Sequence, residues 1–295
     1  MGWIHHNKPP MGWPIDWDNP LSKGLVGFWL FNEGSGSRVN DLSGNGNTGT
    51  IVGPTWASTK YGSGISFDGN TDTINCGKFT GFDGVSAFTI IFTAKWNVLV
   101  DGYDVVFSQQ VDSTHVIIIN GQSTGGIMTF NVSNGSTAYG STNVFQTVGR
   151  YYHIAIVYDG SGAANADRLK LYVDGVYKTF ASFTGTIPAT VPTLSTVDMT
   201  FGYAHASYCF NGIMDNVSIY KNRALTTSEI AQLYREPFCM FEGDLTVAQM
   251  YDYSGAPPAP SGQFIMIQMS TIPLFVIILI AISVRKWKSK YSMMT

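Results

Sequence analysis

The sequence predicts an all-β chain that folds as an antiparallel sandwich of two sheets. Three observations support this class: short apolar stretches alternate with turn residues from Gly24 onward, glycine is abundant, and charged residues make up only 13% of the 295 residues. This composition suits many short strands joined by tight turns and argues against a helical bundle. The length allows one large β domain with extensions.

Several stretches show the two-residue period of a strand with one buried face. In "AFTIIFTAKW", five apolar side chains share one face, while Thr89, Thr93 and Lys95 lie on the other, with Ile91 as the exception. The first face carries Phe88, Ile90, Phe92, Ala94 and Trp96. Similar patterns predict strands at 24–31, 115–120, 126–132, 151–158, 169–173, 199–204 and 211–222.

Two local signals predict a turn and a helix. An alternating apolar run leads into Asp174-Gly175, a dipeptide that tolerates the positive φ angles of a type I′ hairpin. In "ALTTSEIAQLYREP", Thr226 and Glu229 have the spacing of a capping box, and Pro237 ends the segment. The sequence therefore predicts a short helix that closes the domain.

Charge and cysteine usage exclude some partners. The net charge is −3, and no stripe of Lys or Arg precedes residue 285, so we do not expect nucleic acid as a partner. The three cysteines, Cys76, Cys209 and Cys239, have neither metal-site spacing nor the even count of a disulfide framework. One pair of these cysteines could still form a disulfide in an oxidising compartment, and the sequence does not indicate which pair.

The end of the chain differs from the rest. Residues 241–263 form a linker rich in Pro, Gly and Ser, 264–284 are uncharged and mostly apolar, and 285–295 are basic. As a helix, 264–284 would extend roughly 30 Å, about the thickness of the hydrocarbon core of a bilayer, so we predict a transmembrane segment. The protein would then be a surface protein, anchored to a membrane or associated with a virion. A buried strand or core helix is the alternative.

The sidedness of this anchor remains open. A basic C-terminal tail favours the cytoplasm, but the N-terminal arm, residues 1–20, lacks the apolar region of a signal peptide. Export by another route, a tail anchor of opposite topology, and a segment packed within an assembly are the three alternatives.

Residues 21–240 resemble the laminin G-like, concanavalin A-like lectin/glucanase family. The resemblance rests on "GLVGFWLFNEGSGSRVNDLSGNGNTGTIVGPTW", "GISFDGNTDTINCG", "RYYHIAIVYDGSG", "LKLYVDGV" and "FNGIMDNVSIYKNRALTTSEIAQLY", which follow in the family's order. The lead-in "WPIDWDNPLSKGLVGFWLFNEG" is also similar to members encoded by bacteriophages and environmental bacteria. The resemblance implies a two-sheet jelly roll used for carbohydrate binding or adhesion, sometimes with bound calcium.

Sugars are held by aromatic faces, with amide and carboxylate groups bonding to their hydroxyls. The predicted ligand-binding residues are the aromatic and histidine side chains of presumed loops: Trp56, Tyr61, Tyr103, Tyr139, His205 and Tyr208. Packing within the domain is the alternative role for each of them.

Calcium prefers several oxygen ligands, which "NDLSGNGNTG" could supply. The predicted ligands are Asp41, Asn45 and Asn47, together with Asp215 on the closing strand, which is expected near the first strand. Turn formation without metal is the alternative role for this stretch.

Catalysis is not expected. The hydrolases of this family carry Glu-x-Asp-x-x-Glu or a close variant on a central strand, and no such motif occurs here. Asp101, Asp104 and Asp112 could pair, but they fall in predicted loops, where Asp more often serves turns. We therefore predict a non-catalytic recognition or adhesion module for glycans. A structural component of a virion or surface assembly that makes protein–protein contacts is the alternative.

Overall fold

The structure is a computed structural model that describes residues 8–98, 104–122, 127–144, 147–203 and 209–241. Of the predicted ligand-binding residues, Tyr103, His205 and Tyr208 lie outside these ranges. Phe241, the first residue of the predicted linker 241–263, is described and buried. The rest of the linker, the apolar segment 264–284 and the basic tail lie outside the described ranges, so the predicted anchor stays a prediction. Within the described ranges, no helix is long and apolar enough to span a bilayer.

Short strands dominate the described residues, as the sequence predicts. In chain order they are β1 (Leu25–Trp29), β2 (Arg38–Val39), β3 (Gly49–Val52), β4 (Thr55–Thr59), β5 (Gly62–Asp68), β6 (Thr73–Asn75), β7 (Ala87–Trp96), β8 (Val105–Asp112), β9 (His115–Gln122), β10 (Ile127–Asn134), β11 (Tyr139–Thr142), β12 (Tyr151–Asp159), β13 (Leu169–Val173), β14 (Val176–Lys178), β15 (Ser182–Thr184), β16 (Thr200–Phe201) and β17 (Asn211–Lys221).

The strands form two antiparallel sheets. One has eight strands in the order β14-β13-β12-β7-β17-β5-β4, with β1 paired to β17. The other has nine strands in the order β15-β11-β10-β9-β8-β16-β6-β3-β2. The predicted all-β sandwich is therefore confirmed, and the first and closing strands are neighbours as expected.

Helices are few and short in the described residues: a 3-10 turn at Pro20–Ser22, α1 (Asn165–Arg168) and α2 (Thr227–Arg235). At the start of α2 the Thr226 hydroxyl accepts a bond from the backbone N–H of Glu229, and the Glu229 carboxylate accepts one from the backbone N–H of Thr226. This reciprocal pair is the predicted capping box, and it satisfies two backbone donors at the helix start.

The core between the sheets combines aliphatic side chains with many aromatic rings. Phe88, Ile90, Phe92, Ala94 and Trp96 all lie in it, which confirms the predicted inner face of β7. Rings of the two sheets meet edge to face; Trp29 on β1 lies 5.2 Å from Phe201 on β16. The indole N–H of Trp29 donates to the carbonyl of Asn47 at 2.8 Å, so this buried polar group is satisfied.

The outer face of the eight-stranded sheet is also covered. Ile91 packs there in a second apolar cluster with Ile230 and Leu233 of α2 and with Ile15 of the N-terminal arm. Ile15 also bridges to Phe241, so the described part of the arm is irregular but packed. Among the described residues, the arm and α2 therefore cover this face of the sheet around Ile91.

Candidate functional site

A groove of about 490 Å³ lies on the nine-stranded sheet. It crosses three neighbouring strands, β6, β16 and β8, and extends onto the segments that flank β16. Its lining residues are Thr73, Asn75, Ser108, Gln110, Val111, Val197, Asp198, Thr200 and Tyr203.

Strand alternation directs these side chains outward. On β6, Ile74 lies in the core, whereas its neighbours Thr73 and Asn75 line the groove. On β8, Phe107 faces the core, and Ser108 next to it lines the groove. Successive residues of a strand point to opposite faces of the sheet. The residues between those that face the apolar core therefore point outward, into the groove.

The groove floor carries polar groups able to bond a ligand. The Asn75 side chain is fixed, since its Nδ2 donates to Asp198 Oδ2 at 2.9 Å and its Oδ1 accepts from the N–H of Gly77 at 2.7 Å. The Thr73 hydroxyl is buried without a hydrogen-bond partner in the described structure. This oxygen is closed to solvent, so hydrogen bonds to a ligand would fall to other hydroxyl and amide groups of the lining, such as those of Ser108 and Gln110.

Apolar surface flanks these polar groups. Val111 is 44% exposed, and Val197 and the ring of Tyr203 complete the wall. The described lining includes one carboxylate, that of Asp198, and no Lys, Arg or His. The groove therefore combines hydroxyl, amide, aromatic and aliphatic groups with one negative charge.

None of the three described members of the predicted ligand set lines this groove. Trp56 lies on β4 of the other sheet and donates its indole N–H to the Gly36 carbonyl at 2.9 Å. The ring of Tyr61 packs edge-on against Phe238 at 5.9 Å. Tyr139 pairs with Asn131 on the groove's own sheet, but β11 lies three strands from β8, roughly 14 Å away.

The groove residues have a sequence signal of another kind. In "TINC", polar residues alternate with core residues, whereas in "FSQQ" the residue between the two groove residues, Gln109, is polar but fully buried. The alternation in "TINC" indicates a polar outer face, whereas the prediction above selected aromatic residues in presumed loops.

The predicted calcium ligands separate into two places. Asp41 accepts four bonds, from the N–H groups of Phe28, Ser43 and Asn47 and from Asn47 Nδ2. Asp215 instead faces the ammonium of Lys8 at 2.6 Å. N–H donors occupy the lone pairs of Asp41 that a cation would need, so these four residues do not fit one shared calcium ion.

Asn45 supports the same turn as Asp41. Its Nδ2 donates to the Ser43 hydroxyl at 3.1 Å and to the Val26 carbonyl at 3.3 Å. The described residues contain no group of three or more His, Cys, Asp or Glu side chains arranged to hold a metal.

Asp104 and Asp112, the two described residues of the acidic set named above, lie at opposite ends of β8. Asp104 directly precedes β8 and Asp112 ends it, about 26 Å apart at the rise of an extended strand. Burial raises the pKa of Asp104 to about 7. Bonds from Thr114 and His115 hold the pKa of Asp112 at about 2, as in a turn.

Asp68 and Asp72 are the closer acidic pair. Asp72 Oδ2 accepts from the backbone N–H of Asp68 at 2.8 Å, and Asp68 Oδ1 accepts from the N–H of Asn70. Both carboxylates therefore hold the turn between β5 and β6.

The family comparison agrees with this architecture. The model of the "Concanavalin A-like lectin/glucanases superfamily" matches residues 68–231, more than half of the chain. The chain belongs to this superfamily. The match contains β6, β8 and β16, the three strands that form the groove.

Solved structures of the superfamily fold include domain 4 of the extracellular GH43 arabinanase AbnA from Geobacillus stearothermophilus, in complex with arabinotriose. It is 24% identical at a TM-score of 0.57, with 71% of this chain and 98% of that domain covered. The binding domain of Paraclostridial Mosquitocidal Protein 1 is 18% identical at a TM-score of 0.56, with 72% and 52% covered.

Trypanosoma rangeli sialidase, solved with sialic acid, is 17% identical at a TM-score of 0.53, with 74% of this chain and 33% of that enzyme covered. The chain thus spans about half of the second protein and a third of the third. At these identities the likenesses show the fold alone. No curated protein matches the chain.

Proposed function

We propose that this chain is a non-catalytic recognition module that binds neutral glycans in the groove over β6, β16 and β8. The observation that carries the proposal is the groove itself: about 490 Å³, with hydroxyl and amide groups on its floor and Tyr203, Val111 and Val197 on its wall. Sugar rings present hydroxyls at their edges and C–H groups on their faces, which match these two kinds of surface.

Charge favours neutral over acidic sugars. Asp198 is the sole charged group of the described lining, so a ligand carboxylate would meet repulsion and no cation. The arabinanase domain in complex with arabinotriose supports a role in sugar binding for a domain of this size and fold.

The spacing of carboxylates supports a role without catalysis. Most glycoside hydrolases place two carboxyl groups roughly 5 to 9.5 Å apart on either side of the scissile bond. The described lining of the groove offers Asp198 alone, and Asn75 already bonds to it. We therefore expect binding without turnover.

A glycan array probed with the full-length chain tests this function, followed by calorimetry on the best ligand. Tyr203→Ala and Gln110→Ala should each weaken binding at least tenfold, because they remove a stacking face and an amide of the groove. Tyr177→Ala and Gln232→Ala, exposed on the eight-stranded sheet and α2, are the matched controls and should bind like the wild type. Equal losses in groove and control variants, or cleavage of the ligand, would contradict the proposal.

The alternative is an assembly component that makes protein–protein contacts. One observation favours it: edge strand β14 exposes Val176 by 56% and Tyr177 by 42%. Exposed apolar residues on a sheet edge can pair with another chain. This alternative predicts that no glycan on the array binds, that the chain self-associates, and that Tyr177→Lys abolishes the self-association.

A further inference from the structure

The side chain of Lys8 is buried inside the fold. This side chain is 4% exposed, and its ammonium group lies 2.6 Å from Asp215 Oδ1 and 2.7 Å from the backbone carbonyl of Asp215. It also donates to the carbonyl of Ser63 and, at 3.5 Å, to that of Phe31. A single cation therefore sits among four oxygen atoms.

Three separate parts of the chain supply these oxygens. Phe31 follows β1, Ser63 lies on β5, and Asp215 is a bulged residue of β17. Met214 pairs with Ala94 and the following paired residue is Asn216, so Asp215 has no register partner on β7 in the described structure. A bulge turns the backbone out of the ladder, which leaves the Asp215 carbonyl available to a cation.

The oxygens form a site that requires positive charge. The Asp215 side chain is fully buried, and burial raises its pKa while the Lys8 charge opposes that rise. A buried carboxylate without a partner costs several kilocalories per mole, whereas a paired one is tolerated. Carbonyl and carboxylate oxygens are also the ligands that hard metal ions prefer.

The N-terminal arm delivers the ammonium to this site. The backbone N–H of Lys8 donates to the Tyr61 carbonyl at 3.3 Å, and the Pro9 carbonyl accepts from Asn32 Nδ2 at 3.0 Å. These bonds fix the backbone on both sides of the lysine stem. The Lys8 ammonium is thus held in the site by its covalent link to the arm, whereas a metal ion would have to bind from solution.

We propose that Asp215 and the carbonyls of Phe31 and Ser63 build a cation site that Lys8 fills, so that the chain carries its own cation there and needs no metal ion at that position. The same oxygens become a binding site for a divalent cation once the ammonium is removed. This inference is independent of glycan binding in the groove, which lies on the other sheet.

Thermal unfolding of the full-length chain with excess calcium or with chelator tests the proposal. The wild type should have the same Tm in both. Lys8→Ala should have a Tm lower by roughly 10 °C in chelator, because it removes the nearest positive charge from a buried carboxylate and leaves, among the described residues, only the Thr59 hydrogen bond and the charge of Lys60 to stabilise it. Calcium should restore much of that loss, since a ligand of the native state raises stability.

Two further variants separate the site from a general effect of calcium. Lys8→Met removes the charge but keeps a side chain of similar length in the site, so it should lose stability without recovery in calcium. Lys8→Ala combined with Asp215→Asn lacks the carboxylate and should respond little to calcium. If Lys8→Ala folds only with a cation, the refolded yield in calcium against chelator replaces Tm as the readout.

Three results would overturn the proposal. The first is a wild type whose Tm depends on calcium, and the second is a Lys8→Ala variant as stable as the wild type in chelator. The third is a destabilised Lys8→Ala variant that calcium leaves unchanged and that binds no calcium by calorimetry.

Discussion

The imidazole of His153 on β12 packs against the ring of Tyr234 on α2, with the ring centroids 5.6 Å apart. His153 is 5% exposed, and its Nδ1 has no hydrogen-bond partner in the described part of the chain. Burial lowers the pKa of His153 to about 4. Burial at this contact between α2 and the sheet therefore favours the neutral form of the histidine.

This contact predicts a loss of stability in mild acid. The unfolded chain binds a proton at His153 near the ordinary pKa of 6.5, whereas the folded chain binds it only near 4. The contribution of His153 to stability should therefore fall as the pH drops below 6.5, by about 2 kcal/mol between pH 7 and pH 5, with no further fall below pH 4. Asp104, whose pKa burial raises to about 7, changes stability in the opposite direction over this range, so the His153 contribution is read as the difference between the wild type and a variant without the histidine. Urea unfolding at a series of pH values measures this loss.

His153→Phe is the control for that prediction, because it keeps a ring against Tyr234 and cannot be protonated. The variant should be less sensitive to pH between 7 and 5 by about the same 2 kcal/mol. An unchanged pH dependence in the variant would assign the loss of stability to groups other than His153. Asp104 is not one of them, because its raised pKa stabilises the folded chain as the pH falls.

Much of the fold follows from local sequence. The alternation in 88–96 predicts both β7 and its inner face, and Thr226 with Glu229 predicts the start of α2. Asp174 and Gly175 take φ angles of +51° and +76°, as the hairpin dipeptide predicts. Each of these features depends on residues within a few positions of one another.

The site depends on contacts between distant residues. Ile91 breaks the alternation of β7 because α2, more than a hundred residues later, covers it. The groove requires β6, β8 and β16 to become neighbours, and Lys8 meets a partner 207 positions away. Local periodicity predicts which face a side chain takes, but it does not predict which strands are adjacent.

Asp41 should stabilise its turn without a metal. Asp41→Asn replaces one carboxylate oxygen by an amide that cannot accept the N–H groups it would face, so at least two of the four bonds are lost. We expect a loss of about 2 kcal/mol in urea unfolding, equal with calcium or chelator. Asn45→Ala, which removes longer bonds, should cost less than 1 kcal/mol.

Asp198 should control selectivity by charge. Asp198→Asn keeps an oxygen for Asn75 but removes the negative charge, so binding of a sialylated oligosaccharide should improve roughly threefold relative to its neutral counterpart. The change should shrink at high salt. Calorimetry at two salt concentrations measures it, with Asp18→Asn on the exposed arm as the charge-matched control. Equal shifts in both variants would remove Asp198 from the ligand site.

Gly175 links the hairpin turn to the buried histidine. It has a φ angle of +76°, and an added Cβ would lie 3.0 Å from the Tyr234 ring that covers His153. Gly175→Ala should cost the roughly 1 to 2 kcal/mol of a left-handed alanine, plus a further loss from displacing Tyr234. Gly135→Ala measures the backbone cost alone, because Gly135 has a similar φ of +82° and open space around the new methyl group.

Displacing the Tyr234 ring also admits water to the imidazole of His153. The pKa of His153 measured by NMR should therefore rise towards 6.5 in Gly175→Ala and stay near 4 in Gly135→Ala. The same pKa in both variants would mean that Tyr234 does not shield His153.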